Sequence, residues 1–219
     1  MVSSLCVAAW RGFYLQPYKA AWRHAVPMAT PRPRAPLTPE SWTEAATGLL
    51  VDQGIDSVRV DVLARRMGVT RGSFYWHFRD REDLLRSVLQ AWRSRATEQV
   101  TQRFEQAHTD PHVLLHELCS LPFRGKAAER AARIELAIRA WARRDGMARQ
   151  AVDEADASRV AYIAQVFSSL GFGIQEARSR AFLLYGYEVA ESILREQGSA
   201  TQKAQRRDLM ERLLLMPVG

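Results

Sequence analysis

The sequence predicts an all-α protein, with a small three-helix domain on the N-terminal side and a larger helical domain after it. Apolar residues recur three and four positions apart through most of the chain, which is the spacing of a helix that buries one face. No segment shows the sustained period-two alternation of a strand. Glycine and proline stand between the helical segments, except for Pro39 at a helix start and Gly186 inside a helix.

Composition and charge limit the classes of protein to consider. The 219 residues suffice for one large or two small domains, and 47% hydrophobic with 25% charged residues is typical of a soluble globular protein. The net charge of +7 favours a polyanionic partner without identifying one. Residues 1–36 contribute five of these charges and contain no acid. The three-helix domain that follows is close to neutral overall. Local geometry, and not a strong overall positive charge, must therefore place its cations on a polyanion.

Several classes are not favoured. The presence of only two cysteines, Cys6 and Cys119, argues against a disulfide framework and is typical of a protein of the reducing cytoplasm. No apolar run approaches a membrane span, and the first residues lack the basic start of a signal peptide. A phosphate loop, a G-x-S-x-G elbow and an HExxH motif are all missing. We predict a cytoplasmic protein that is not an enzyme, needs no cofactor and has no membrane partner.

The stretch 1–36 differs from the rest of the chain, because it ends in the proline-rich run MATPRPRAP, which cannot be helical. We interpret it as a disordered tail and predict that translation begins at Met28, so that residues 1–27 are a mis-assigned start. The alternative is a basic arm that follows DNA beside the neighbouring domain.

Local signals place the first helices. Thr38 is a capping residue and Pro39 follows it at the first helical position, while Gly54 ends this helix. Its predicted inner stripe is Trp42, Ala45, Ala46, Leu49 and Leu50. A second helix turns its Val60, Leu63, Ala64 and Met67 inward and ends at Gly68. We predict a short third helix capped by Thr70 and running to His77, and a helix after Asp80, with Asp83 in a capping-box-like position. The remaining helices are predicted at 81–107, 112–121, 127–144, 147–170, 174–197 and 200–215.

Two short helices joined by a tight turn are the layout of a helix-turn-helix, which places its second helix in the DNA major groove. Phe74 and Phe78 are spaced to hold the short third helix on the core. Tyr75, Trp76 and His77 cannot all point inward from so short a helix, and this excess of rings favours a function. The Arg71 guanidinium group can donate to the edge of a guanine, and the Ser73 hydroxyl can bond to a base or a phosphate. Gly72 has no side chain, so the backbone there can lie close to the wall of the groove. We predict that Arg81, at the start of the next helix, binds a DNA phosphate.

Residues 38–90 resemble the DNA-binding domain of the TetR family of bacterial transcriptional regulators. The resemblance lies in Leu63-Ala64, Gly68-Val69-Thr70, Gly72, Phe74-Tyr75, His77-Phe78, Asp80-Arg81-Glu82 and Leu84-Leu85. Arg59 departs from the family, which usually has Thr or Ser as the cap of the second helix, and Arg81 replaces the usual Lys. The rest of the chain matches the family only in its all-helical plan.

The resemblance implies a homodimer that binds a palindromic operator, usually as a repressor, and releases it when a small molecule enters the C-terminal domain. It implies a DNA-binding domain at 37–83 and an effector-binding and dimerisation domain at 84–219. It also implies which residues face DNA: Thr70, Arg71, Gly72, Ser73, Tyr75, Trp76, His77 and Arg81. The alternative is a DNA-binding regulator without a small-molecule switch, controlled by a partner or acting as an activator.

Two sets of residues are candidates for the other functions. Apolar faces suited to a hydrophobic or flat effector carry Trp92, Phe104, Leu118, Ile134, Ile138, Trp141, Tyr162, Ile163 and Phe167. Stripes on the last two helices suit a four-helix dimer interface, or else are used within one monomer; they carry Phe182, Tyr185, Gly186, Val189, Ile193, Leu209, Leu213 and Met216. We read His108, His112 and His116 as exposed or capping histidines and predict no metal site.

Overall fold

The computed structural model describes residues 37–107 and 110–217, and every regular element in these ranges is helical, which confirms the all-α prediction. The α-helices are α1 (Pro39–Gln53), α2 (Val60–Met67), α3 (Arg81–Arg93), α4 (Gln99–Ala107), α5 (Pro111–Ser120), α6 (Gly125–Ala142), α7 (Gly146–Ser169), α8 (Ile174–Ile193) and α9 (Ala200–Leu215). The predicted tail at 1–36, with the start at Met28, lies outside the described residues.

The connections include four other helical turns. Short 3₁₀ helices occupy Ile55–Ser57, Arg71–Trp76 and Leu121–Phe123, and a π-helical turn at Ser94–Glu98 joins α3 to α4. The predicted third α-helix is thus a 3₁₀ helix, a form that is common in short pieces because its tighter turns close over few residues. The predicted helix at 81–107 is divided at the π turn. Such turns are frequent at functional sites.

The predicted caps of the first helices are largely confirmed. Thr38 and Ser41 form a capping box, in which the Thr38 hydroxyl accepts from the Ser41 amide at 3.3 Å and the Ser41 hydroxyl accepts from the Thr38 amide at 3.0 Å. Gly68 ends α2 in the left-handed conformation, at φ 67°. Arg59 precedes α2 without a side-chain cap, as its departure from the family pattern suggested.

The cap of α3 differs in one detail from the prediction. The Asp80 carboxylate accepts from the Asp83 amide at 2.9 Å, as expected for a cap. The Asp83 carboxylate accepts from the amide of Arg79, at 3.1 Å, and not from that of Asp80. Asp83 therefore binds the backbone of Arg79, whereas in a standard capping box it would bind the backbone of the capping residue, Asp80.

A first hydrophobic core holds the N-terminal helices together. The predicted stripe residues of α1 lie in it or, for Ala45, pack on it, along with Leu63 and Ala64 of α2. Helix α3 contributes Leu84, Leu85, Val88, Leu89 and Trp92. Ile138 and Trp141 of α6 and Val152 of α7 complete this core. The core therefore continues across the predicted domain boundary at residues 83 and 84, which falls within α3. The boundary therefore remains a prediction of where the DNA-binding part of the chain ends and the effector-binding part begins.

A second core lies among α5, α7, α8 and α9. It contains Leu115, Phe167, Leu184 and Leu214, each with no more than 3% of its surface exposed. Phe104 of α4 joins it.

Two smaller findings concern sites that the sequence raised. His108 lies outside the described residues, and His116 Nδ1 lies 2.9 Å from Glu211 Oε2, which joins α5 to α9. Across 37–107 and 110–217, no group of three or more His, Cys, Asp or Glu side chains is placed to hold a metal ion. None of the helices described in those ranges has both the length and the apolar character to cross a membrane.

Candidate nucleic-acid interface and ligand cavity

The segment of residues 70–77, called here the aromatic segment, is anchored by two phenylalanines. Phe74 is fully buried, and its ring meets the Trp42 ring edge-on at 5.4 Å between centroids. Phe78 stacks on Phe74 at 5.5 Å and is 5% exposed. The predicted role of both residues is therefore confirmed, and the segment is fixed on α1 although it is too short to be stable alone.

The other rings of the aromatic segment face outward. Trp76 is 87% exposed and Tyr75 is 63% exposed, although large apolar rings are normally buried. Arg71 and Gly72 are also exposed, and Ser73 and His77 are half-buried. The structure thus places the predicted DNA-facing residues of the segment on one short, rigid and accessible stretch.

Thr70 does not cap the 3₁₀ helix as predicted. Its hydroxyl makes no hydrogen bond to a backbone amide of that helix. Instead, Thr70 Oγ1 lies 3.2 Å from Ser73 Oγ, so the two hydroxyls share one hydrogen bond. In this arrangement, both oxygens remain near the surface with further capacity for an outside partner.

Arg81 has a role that the sequence did not suggest. Its Nε donates to the Val58 carbonyl at 2.6 Å and its Nη2 donates to the Ile55 carbonyl at 2.9 Å. The guanidinium group therefore ties the start of α3 to the loop between α1 and α2. The assignment of Arg81 to a DNA phosphate stays a prediction, because these bonds use two of the five N–H donors of the guanidinium group and the residue is exposed.

Arg81→Ala is expected to lower the free energy of unfolding by about 1.5–3 kcal/mol, because two carbonyls lose a charged donor. Urea denaturation followed by circular dichroism measures this change. Arg79→Ala is the matched control, since the Arg79 side chain is 78% exposed and pairs only at the surface with Asp83. Equal stabilities of the two variants would contradict the tethering role.

A cavity of about 310 Å³ lies among the π turn, α4, α5, α6, α7 and α8. Of the residues predicted for a ligand pocket, Phe104, Leu118, Tyr162 and Ile163 line it. Five others lie outside this cavity, so their place in an effector pocket stays a prediction: Trp92, Ile134, Ile138 and Trp141 belong to or pack on the first core, and Phe167 belongs to the second. The reason is that α6 turns its aromatic and isoleucine side chains toward α1, and its alanines toward the cavity.

Two residues predicted for the dimer interface line the cavity. Tyr185 and Val189 point inward from α8, and neither is exposed. Both side chains therefore belong to the cavity wall, and their assignment to a dimer interface stays a prediction.

The sequence reasoning missed a polar cluster at one side of the cavity, formed by Glu135, Arg139, Asp156, Arg159 and Tyr185. Arg139 makes a two-pronged contact with Asp156, at 3.0 and 2.6 Å. Arg159 makes a second one with Glu135, at 3.1 and 3.2 Å. The spacing of Glu135 to Arg139 and of Asp156 to Arg159 on their helices was the available signal.

The Tyr185 hydroxyl connects these pairs. It accepts from Arg139 at 2.8 Å and from Arg159 at 3.0 Å, and it donates to Asp156 at 2.5 Å. Burial raises the pKa of Tyr185 above its usual value, so the hydroxyl retains the proton that it donates. Trp92 supports the cluster from the core side, since its Nε1 donates to Glu135 at 3.1 Å.

Glu188 also lines the cavity, one turn beyond Tyr185 on α8. Its Oε1 is buried and has no hydrogen-bond partner among the described residues. Burial raises the pKa of Glu188 to about 8, and the nearby positive charge of Arg159 offsets only part of this effect. No sequence pattern pointed to Glu188, because nothing in the spacing distinguishes it from Glu176 and Glu191 on the same helix.

The cavity is linked to the N-terminal helices through the π turn. Arg95, in that turn, lines the cavity and donates to Glu44 of α1 at 3.2 Å. Arg130 of α6 forms an ion pair with the same carboxylate. Ion pairs thus join the cavity wall and α6 to α1, on which the aromatic segment rests.

An apolar surface remains exposed on the last two helices, which an ion pair between Arg206 and Glu191 holds together. We call it the α8–α9 patch: Phe182, Leu183, Gly186, Ile193, Leu209, Leu213 and Met216, with their large side chains 49–69% exposed. A Cβ built at Gly186 would meet no atom within 4 Å. The residues of the predicted interface other than Tyr185 and Val189 lie in this patch.

Comparison with known proteins bears on the N-terminal domain. Residues 43–88 match the family described as bacterial regulatory proteins, tetR family. The chain is 44% identical over 46 residues to the HTH-type transcriptional regulator SrpR of Pseudomonas putida, covering 21% of this chain and 22% of SrpR. It is 32% identical over 75 residues to AcrR of Shigella flexneri, covering 34% and 35% of the two chains. The matched stretches thus span at most about a third of these relatives.

Solved structures resemble nearly the whole described fold. A transcriptional regulator from Rhodococcus sp. Rha1 has a TM-score of 0.66 at 18% identity, covering 82% of this chain and 96% of that one. A regulator from Saccharomonospora viridis in complex with choline has a TM-score of 0.60 at 19% identity, over 80% and 92%. FadR from Bacillus subtilis in complex with stearoyl-CoA has a TM-score of 0.60 at 17% identity, over 81% and 98%.

These structures establish the fold of the chain, and the sequence matches establish its N-terminal domain. The aromatic segment and its supports lie within the matched residues. Residues 43–88 therefore form a helix-turn-helix, DNA-binding domain of the kind found in the TetR family of bacterial regulatory proteins.

Proposed function

We propose that this protein is a cytoplasmic, homodimeric repressor that leaves a palindromic operator when a small molecule occupies its cavity. The observation that carries the proposal is the aromatic segment, which presents Tyr75 and Trp76 to solvent from a base of buried phenylalanines. Exposed rings on a rigid support suit contacts to sugar and phosphate, which orient a protein on DNA. Arg71 beside them supplies a two-pronged donor for a guanine.

The α8–α9 patch supports the dimer. Its side chains come from two adjoining helices, and pairing them about a two-fold axis would bury them in a four-helix interface. Two copies of the aromatic segment would then read two half-sites, so the operator of a two-fold dimer is expected to be a palindrome.

The cavity supports control by a ligand. Its volume of about 310 Å³ lies at the lower end of the range for small-molecule sites, and its walls are mainly apolar with a few polar groups. Similar folds hold choline in one protein and stearoyl-CoA in another. In the proposed mechanism, a ligand displaces the π turn and weakens the contact of Arg95 with Glu44, so that α1 and the aromatic segment shift in each subunit.

Selection of bound sites from random duplex DNA, followed by sequencing, tests the proposal. A palindromic motif is the expected result, and loss of binding on addition of a small molecule would support the ligand switch. Binding to all DNA alike would contradict specific operator recognition. A specific palindrome that no small molecule affects would favour a regulator controlled by a partner, or an activator.

Arg71→Ala is expected to relax the preference at one position of each half-site and to cost about 1–3 kcal/mol there, because a bidentate base contact is lost. The measurement is the affinity for operators that vary at single positions. Arg149→Ala on α7 is the control, since it removes the same charge from a surface pair with Asp153. An unchanged preference in Arg71→Ala would exclude a base contact by Arg71.

A further inference from the structure

Glu188 lacks a polar partner in the one place where a ligand is expected. Its buried Oε1 accepts no hydrogen bond from the described residues, and the side chain lines the cavity. A buried carboxyl group without a partner destabilises a protein, so such groups are uncommon unless they meet something else. The cavity therefore holds an unsatisfied acceptor that an occupant can satisfy.

The arginines of the cavity wall are satisfied, in contrast. Arg139 and Arg159 share Glu135, and Arg139 also holds Asp156. Arg95 pairs with Glu44, and Arg124 forms an ion pair with Glu117. Each cation thus already has an acid, and an incoming anion would have to compete with it. Ionised Glu188 is the charge in this wall for which the described residues supply no ion-pair partner.

We propose that the cavity binds an amphipathic amine, whose ammonium group pairs with the Glu188 carboxylate while its hydrocarbon part lies against the apolar wall. The inference rests on the proposed function of the cavity as an effector site and specifies its ligand class. An ammonium N–H would satisfy Oε1, and its charge would balance the carboxylate. Phe104, Leu118, Val189 and the α6 alanines supply the apolar surface.

The environment of Glu188 predicts how binding depends on pH. The charged and titratable groups near it are Arg159 on α7 and Cys119 on α5, together with Tyr185 on its own helix and the bonded pair of Glu135 and Arg139 on α6. Burial keeps the pKa of Cys119 near 12, so the thiol stays neutral. With a Glu188 pKa of about 8, the carboxyl group is mostly protonated at pH 7. An ammonium ligand must displace that proton, so its affinity should rise about ninefold from pH 6 to 7 and about fivefold from pH 7 to 8.

The test uses three probes with the same chain: octylammonium, octanol and octanoate. Isothermal titration calorimetry with the full-length protein measures the affinity of each for wild type and for Glu188→Gln. Octylammonium is expected to bind most tightly and to lose at least tenfold in affinity in the variant. Glu196→Gln is the matched control, because Glu196 is exposed beyond the end of α8 and does not line the cavity.

A second measurement needs only wild type. Titration of octylammonium at pH 7 in two buffers of different ionisation enthalpy should reveal release of close to one proton per ligand. Any of five results would overturn the proposal. Octanoate could bind more tightly than octylammonium, octanol could bind as tightly as octylammonium, or octylammonium could fail to bind. Glu188→Gln could leave the affinity for octylammonium unchanged, or binding could release no proton.

The outcome is separable from that of the proposed function. Operator affinity is measured independently, with and without saturating octylammonium. If the amine binds through Glu188 and the operator stays bound, the ligand class holds and the ligand-release mechanism fails. If octanoate binds and releases the operator while octylammonium does not bind, the mechanism holds and the amine is excluded.

Discussion

Phe182→Asp is expected to convert the protein to a monomer and to lower its operator affinity by about 10²–10⁴, the gain that joining two binding units provides. Phe182 has the largest exposed fraction in the α8–α9 patch, at 69%. An aspartate there would place a charge in the proposed apolar interface, and a second one from the other subunit beside it. Analytical ultracentrifugation gives the mass in solution, and gel-shift titration gives the operator affinity.

Val113→Asp is the control for this experiment. Val113 is an exposed apolar residue on α5, at 40%, and lies outside the α8–α9 patch. It should leave both the mass and the operator affinity close to those of wild type. If Phe182→Asp remains a dimer with full operator affinity, a different surface must form the interface.

Phe74→Ala is expected to lower the free energy of unfolding by about 3–5 kcal/mol, the usual cost of removing a fully buried phenylalanine. The Phe74 ring contacts Trp42, Tyr75 and Phe78, so its loss leaves a space beneath the whole aromatic segment. Chemical denaturation measures the stability, and operator binding should fall as well because the segment loses its support.

Tyr75→Ala separates stability from DNA contact. Tyr75 meets the Phe74 ring edge-on at 5.2 Å but is 63% exposed, so its removal should cost no more than about 1.5 kcal/mol. We expect it to weaken operator binding while the domain stays folded. Similar stability losses in both variants would contradict the division of the segment into buried supports and exposed contacts.

The features that could be predicted from the sequence are those that depend on nearby residues. Thr38, Gly54, Gly68 and Asp80 end or begin helices through their own geometry and the next few residues. The inward positions of Phe74 and Phe78 follow from their spacing. These local signals, together with the family motif, were sufficient to locate the candidate DNA-binding surface.

The features that could not be predicted depend on partners far along the chain. Arg81 bonds to two carbonyls that no spacing rule connects with it. Helix α8 has apolar residues on several faces, so its periodicity did not show that Tyr185 lines the cavity while Phe182 lies at the surface. The direction in which Trp141 points was decided by the packing of α6 on α1.

The first core has a consequence for how the DNA-reading part of the protein can be used and can evolve. Trp42, Leu63 and Leu84 share that core with Ile138, Trp141 and Val152, which lie far beyond the matched family domain. A fragment that ended after α3 would expose this shared apolar surface to water, so we expect it to be less stable than the same helices in the whole chain. We therefore expect that exchange of the surface residues of the aromatic segment would move a DNA preference to another regulator at less cost in stability than transplantation of the N-terminal helices as a block.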